Sequence, residues 1–182
     1  MSDAASALRE KQKPLKDKYR NDPSSALVTL KSEGALDATN LTCSLATASA
    51  AKKVAGLHSA AGGGGFDATG ELCSGDMLLE SLVACFGVTV KAVSTAMGTP
   101  IEGGSITVEG DLDFRGTLGI KDGDGGQVPV GFKAIRLNLN LQVGSEQSQE
   151  SLEKLVGLSE KYCVVLQTIK SGVPVETKLN KQ

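Results

Sequence analysis

The residues from Asp76 to Gly98, DMLLESLVACFGVTVKAVSTAMG, constrain this chain more than any other segment. Ser74 or Asp76 can cap a helix there, and Glu80 falls early enough to favour the positive end of the helix dipole. Gly98 followed by Pro100 stops it. The intervening residues are apolar on almost every side, and such a helix lies in a protein core or in a membrane. The run is long enough to span a bilayer, which takes about 20 residues. Asp76, Glu80 and Lys91 interrupt it, however, and no positive flank orients it. Glu80 and Lys91 return to nearly the same face at 3.6 residues per turn. The pattern therefore predicts a helix buried by protein except for one narrow polar stripe. In a chain this small that implies a sheet on one side and suggests a partner subunit on the other.

At 182 residues the chain is one domain's worth. It can bury about two-thirds of its unfolded surface without disulfides or a metal. A net charge of -2 leaves no electrostatic footprint for nucleic acid or an acidic membrane surface. Aromatic residues at 3%, with no Trp, argue against a base-stacking platform. The one histidine, His58, excludes metal sites built on two or three imidazoles and any histidine-based triad that does not use it. No metal or resident cofactor is expected. The four cysteines, Cys43, Cys73, Cys85 and Cys163, include no CxxC pair. The first fifteen residues are polar rather than an apolar leader. The reading is a cytoplasmic protein with its thiols reduced at rest.

Along the chain, Ser2 to Lys18 reads as a helix ended by Asn21-Asp22-Pro23, so that residues 1–25 form an N-terminal arm and 26–182 a single domain. Ala26 to Ala35 and Leu41 to Thr47 read as strands separated by a turn at Asp37 to Asn40, with Cys43 in the second. Gly62 to Gly65 is a flexible loop, and no Gly-Lys-Ser/Thr follows to make it a phosphate loop. His58, just before it, reads as a surface residue. Ile101 to Gly116 and Val130 to Val143 alternate as strands of an antiparallel hairpin turned at Asp122-Gly123-Asp124-Gly125-Gly126. That turn fails as a calcium loop because Lys133 stands where an acidic ligand is required. Ser148 to Lys161 is an amphipathic helix, a helical stretch continues through Cys163 to Lys170, and Pro174 to Leu179 closes the chain as a strand. The class is α+β, with an antiparallel sheet packed on a long buried helix.

Cys85 lies inside the buried helix, and Cys163 lies on the last helical region. Two such thiols meeting in space would support a known chemistry. One thiolate takes an oxygen from a peroxide and becomes a sulfenic acid, and the other condenses with it to a disulfide. An external dithiol restores both. The alternative is that both are buried structural cysteines, the reading given to Cys43 and Cys73. Cys73 is excluded as the partner of Cys85, because about 18 Å of helix at 1.5 Å per residue separates them.

The segment Cys73 to Val90, CSGDMLLESLVACFGVTV, resembles the cysteine-bearing helix of the OsmC/organic hydroperoxide resistance family. The later LSEKYCVVLQTI is similar to the family's second motif, and GGGGF suits its glycine loop. The resemblance runs over about residues 26–180 and implies an intertwined homodimer with two long helices packed centrally and sites at the interface. It implies that Cys85 is the peroxidatic thiol and Cys163 the resolving one, acting on a small organic hydroperoxide with an external dithiol as reductant. Peroxidases of the family carry a glutamate where Gly75 stands here, paired with an arginine that activates the thiolate. Asp76, beside it, is the candidate replacement, against the plainer reading of a charge at a helix N-terminus. The departure leaves two alternatives: a non-enzymatic homodimer of the same fold that binds a small apolar ligand at its interface, or a scaffold with core cysteines.

Overall fold

The computed structural model describes residues 3–36, 43–45, 55–64 and 72–179. Helix α1 spans Asp3–Asn21, and a 3-10 turn at Pro23–Ala26 leads into strand β1, Leu27–Leu36. Short strands follow: β2 at Cys43–Leu45, β3 at Ala55–Gly56 and β4 at Leu72–Cys73. Helix α2 is Ser74–Met97, β5 is Ile101–Asp113, and β6 is Phe132–Val143. Two helices, α3 at Gln149–Tyr162 and α4 at Val164–Ser171, end the ordered elements. The main sheet has the order β2-β1-β5-β6 and is antiparallel throughout, while β3 and β4 pair in parallel as a separate ribbon. The α+β class expected from the sequence is the one observed.

The hairpin of β5 and β6 shows why a sheet forms here. Its apolar residues fall on alternate positions and so on one face. In β6 the inward set is Ile135, Leu137, Leu139, Leu141 and Val143, while Ala134 is exposed. Ile135, which looks out of phase with Phe132 in the sequence, sets the phase of the strand. An irregularity in the pairing between Asp111 and Leu112 absorbs the extra residue and lets Phe132 also pack inward. The Asp122 carboxylate accepts the amides of Asp124 and Gly126 at 3.1 and 2.6 Å, which fixes the expected turn.

Helix α2 lies across β1 and β5, with α3 and α4 against it. Leu79, Leu82, Val83, Phe86 and Val90 are buried there with Ile106, Val108 and Leu155. Gly98 ends the helix in the left-handed region at φ 68, its amide reaching the carbonyls of Ser94 and Thr95. A smaller core gathers Tyr19, Ala26, Ala61, Phe114, Leu118 and Ile120. Helix α1 is tied to it by bonds from Tyr19 Oη to the Ala60 carbonyl at 2.9 Å and from Gln12 Nε2 to that of Ala61 at 3.2 Å.

Five expectations are corrected. The cap of α2 is Cys73 rather than Ser74 or Asp76, since the strand pairing of β4 runs directly into the helix. Glu80 and Lys91 are buried at 3% and 6% exposure, not a solvent stripe. The Lys91 ammonium is held inside by a bond to the Ile101 carbonyl at 3.0 Å. His58 is half-buried, stacked on Phe114 at 4.9 Å, because its Nδ1 accepts the Ala60 amide and turns the ring inward. The last helical region is interrupted at Cys163. Pro174 to Leu179 forms no strand: Pro174 has no amide to donate, and Val175 and Leu179 are 82% and 94% exposed. Only the Cys43–Leu45 portion of the second expected strand is described; the turn at Asp37 to Asn40 and the end of the glycine run from Gly65 lie outside the described residues.

Candidate active site

Cys85 is placed by the side of α2 that turns away from the sheet. Its neighbour Phe86 is wholly buried, whereas Cys85, about 100° further round the helix, is half-buried. Leu78, Ser81, Val88, Ala92 and Thr95 share its open face. Cys163 is placed by the break between α3 and α4. Its amide bonds the Ser159 carbonyl at 3.0 Å and closes α3. Its own carbonyl accepts the Gln167 amide at 2.9 Å and opens α4. At ψ 108 Cys163 leaves the helical region between the two. The β-branched pair Val164 and Val165 that follows weakens helix continuation there.

The two thiols, far apart in sequence, meet. Cys163 is fully buried in the main core, Cys85 packs against that same core, and the Cys85 thiol is near enough to act on the Cys163 thiol. Both are free cysteines. Burial pushes the Cys163 thiol up from 9.0 to about 11, with the hydrogen bond and charge of Cys85 adding to the shift. The amides of Leu166 and Val165 at the start of α4 pull the other way. Cys163 therefore keeps its proton at neutral pH. A thiol that binds its proton more tightly folded than unfolded contributes stability that is complete below about pH 9 and lost as the pH rises toward 11. The urea midpoint should accordingly fall over that window in the wild-type protein and fall much less in Cys163→Ala. Equal declines in the two would remove Cys163 as the cause.

A groove of about 780 Å³ runs between α2, β6 and the two C-terminal helices. Leu78, Leu82, Ile135, Leu137, Leu166 and Ile169 form its apolar walls, and Lys133, Glu160 and Lys170 its charged rim. Leu82 lies about one turn before Cys85 and Leu166 about one turn after Cys163, while the two cysteines themselves are not among the lining residues. Sequence reasoning missed these wall residues. The apolar positions of α4, Leu166 and Ile169 three residues apart after Cys163, were the available signal.

The other residues singled out in the sequence are not at this site. Asp76 is in the first turn of α2, about 13.5 Å along the helix from Cys85 at 1.5 Å per residue. Its carboxyl is raised by burial, an effect offset by His58 and reinforced by Glu80. Cys73 and His58 line a separate cavity of about 400 Å³. Three of the four arginines have described side chains, and each is committed to a carboxylate. Arg20 pairs with Asp17 at 3.0 Å, Arg115 with the buried Asp113 at 2.7 Å, and Arg136 with Asp111. None of the three is free to serve as the family's activating arginine.

The profile of the OsmC-like protein family matches residues 66–178, more than half of the chain and inclusive of both thiols. Among solved structures, an OsmC-like hydroperoxide resistance protein from Jannaschia sp. CCS1 has a similar fold, with a TM-score of 0.59 over 86% of this chain and 95% of that one. Sequence identity with it is 12%. No curated protein matches the chain in sequence. The long central helix, the antiparallel sheet and the matched segment lead to one conclusion: this chain belongs to the OsmC-like protein family.

Proposed function

We propose that this protein is a thiol-dependent peroxidase that reduces organic hydroperoxides in the defence against oxidative stress, with Cys85 as the peroxidatic thiol and Cys163 as the resolving one. The observation that carries the reading is the closeness of two thiols of unequal burial, with an apolar groove about one helical turn from each. Within one chain Cys85 is the more accessible of the two, and Cys163 keeps its proton in the core.

The chemistry balances with these two side chains. The Cys85 thiolate attacks the outer oxygen of the hydroperoxide, an S–O bond forms, the O–O bond breaks, and the alcohol leaves after taking a proton. The Cys163 sulfur then attacks the Cys85 sulfenic sulfur. An S–S bond forms and the oxygen departs as water with the thiol's proton. A dithiol from the cytoplasmic pool returns both cysteines to thiols by exchange. The apolar walls favour a hydrophobic organic group on the substrate over hydrogen peroxide.

The working form is a homodimer on this reading. Leu78, Ser81, Cys85, Val88, Ala92 and Thr95 recur along α2 at alternating steps of three and four, the spacing of a two-helix seam. Leu78 and Val88 are 40% and 45% exposed, which a second copy of the helix would cover. A light-scattering mass of twice the chain mass is expected. The committed arginines favour a second reading, in which the same groove holds a small apolar molecule without chemistry.

One titration separates the two. Pre-reduced protein treated with one equivalent of cumene hydroperoxide should yield the alcohol, lose two thiols per chain, and give a Cys85–Cys163 disulfide peptide by mass spectrometry. Hydroperoxide left intact beside unchanged thiols would leave the binding reading in place.

A further inference from the structure

The break at Cys163 leaves backbone carbonyls outside both helical ladders. Helix α3 ends with the bond from the Cys163 amide to Ser159, and α4 begins with the bond from the Gln167 amide to Cys163. The carbonyls of Glu160, Lys161 and Tyr162 fall between them, the usual orphans of a helix end. Lys161 and Tyr162 are exposed and within reach of water, whereas Glu160 is half-buried. Its carbonyl accepts a hydrogen bond from Nε2 of Gln167 at 2.8 Å, in a partly buried setting. Gln167 sits in the first turn of α4, so this one side chain ties the start of α4 to the last turn of α3, with Cys163 between its two anchor points. Another tie across the break is the ion pair of Lys170 and Glu160 at 3.9 Å, whose side chains are 59% and 47% exposed. Exposed pairs of that kind contribute little.

We propose that Gln167 is a positioning residue for Cys163: by holding the Glu160 carbonyl it fixes the angle of the helix break and so keeps the buried thiol aimed at Cys85. The inference rests on the reading of Cys85 and Cys163 as a redox pair. The step it serves is attack of the Cys163 sulfur on a Cys85 sulfur that carries a leaving group, in which the S–S bond forms as the leaving group departs with a proton. Cys85 stands on a long helix packed into the core, so the angle of the break sets how the Cys163 sulfur approaches it. A looser break leaves the thiol correctly aligned for a smaller fraction of the time.

The test compares Gln167→Met, of similar length without a donor, with Gln167→Lys, which keeps one, and with Lys170→Ala as the control for the ion pair. Disulfide closure is followed by stopped flow in the full chain after cumene hydroperoxide and, separately, after diamide, which oxidises a thiol pair without hydroperoxide chemistry. Gln167→Met should close the disulfide roughly three- to tenfold more slowly with both oxidants, the size of one lost hydrogen bond. Its rate of Cys85 sulfenate formation, trapped with dimedone, should be unchanged. Gln167→Lys should close at close to the wild-type rate with both oxidants, and Lys170→Ala should do so after diamide, which does not use the groove. Closure at the wild-type rate in Gln167→Met, or equal slowing in Gln167→Met and Gln167→Lys, would overturn the proposal. If hydroperoxide produces no sulfenate even in the wild type while the diamide arm still shows the Gln167→Met defect, the peroxidase reading fails and the positioning role stands.

Discussion

Cys85→Ser is expected to lower hydroperoxide consumption by about 10³-fold or more, to the level of the reductant alone. A serine hydroxyl is not ionised near neutral pH and has no sulfur to carry the transferred oxygen, so neither the O–O cleavage nor the later disulfide has a route. Cys163→Ser should behave differently. Its Cys85 keeps the first step and releases one equivalent of alcohol per chain, but the sulfenic acid then has no resolving thiol. It persists, reacts with dimedone, and advances to the sulfinic acid under excess hydroperoxide. The pair of variants therefore separates the two roles by product as well as by rate. Turnover at the wild-type rate in Cys85→Ser would sink the assignment. Equal single-turnover yields from both variants would show that the roles are not divided.

Phe86→Ala carries the largest expected structural effect. Phe86 is wholly buried and is among the largest side chains in the main core, packed with Leu79, Leu82, Ile106 and Leu155. Removing its ring loses the transfer energy of the aromatic group and leaves a cavity that a sheet and three helices cannot readily close. The cost is about 3–5 kcal/mol. Domains of this size have roughly 5–15 kcal/mol in all, so the variant should be folded but fragile, with a melting temperature lower by roughly 6–20 °C. Urea unfolding monitored by circular dichroism gives the figure directly. A loss under about 1 kcal/mol would mean that α2 is not packed on the sheet through this residue.

The central helix could be read from the sequence because its apolar run is longer than any strand and is bounded by a left-handed glycine. Cys85 came with it. The hairpin was equally legible, through alternation and a turn of Asp and Gly residues, although the phase of Ile135 depended on an irregularity that only strand pairing reveals. Three features were out of reach for physical reasons. Lys91 looks like a solvent residue because its burial depends on a carbonyl ten residues further along the chain, beyond the turn at Gly98. The break at Cys163 carries no Gly or Pro, so the local pattern of Leu155, Leu158 and Leu166 continues smoothly past it. The strand expected at Pro174 to Leu179 had the right composition, but a strand exists only where an edge accepts it, and composition does not describe edges. The groove is likewise a product of packing between elements far apart in the chain.

The two hydrophobic cores share Val28 and Leu112, which face each other across β1 and β5, and otherwise draw on different residues. Both thiols and the groove walls belong with the larger core, whereas α1 and the turn around His58 belong with the smaller. In the language of foldons, the two cores of the described residues are neighbouring units that meet at this cross-strand pair on the shared strands β1 and β5. Substitutions in α1 that loosen the smaller core are therefore expected to leave the packing around Cys85 and Cys163 unchanged.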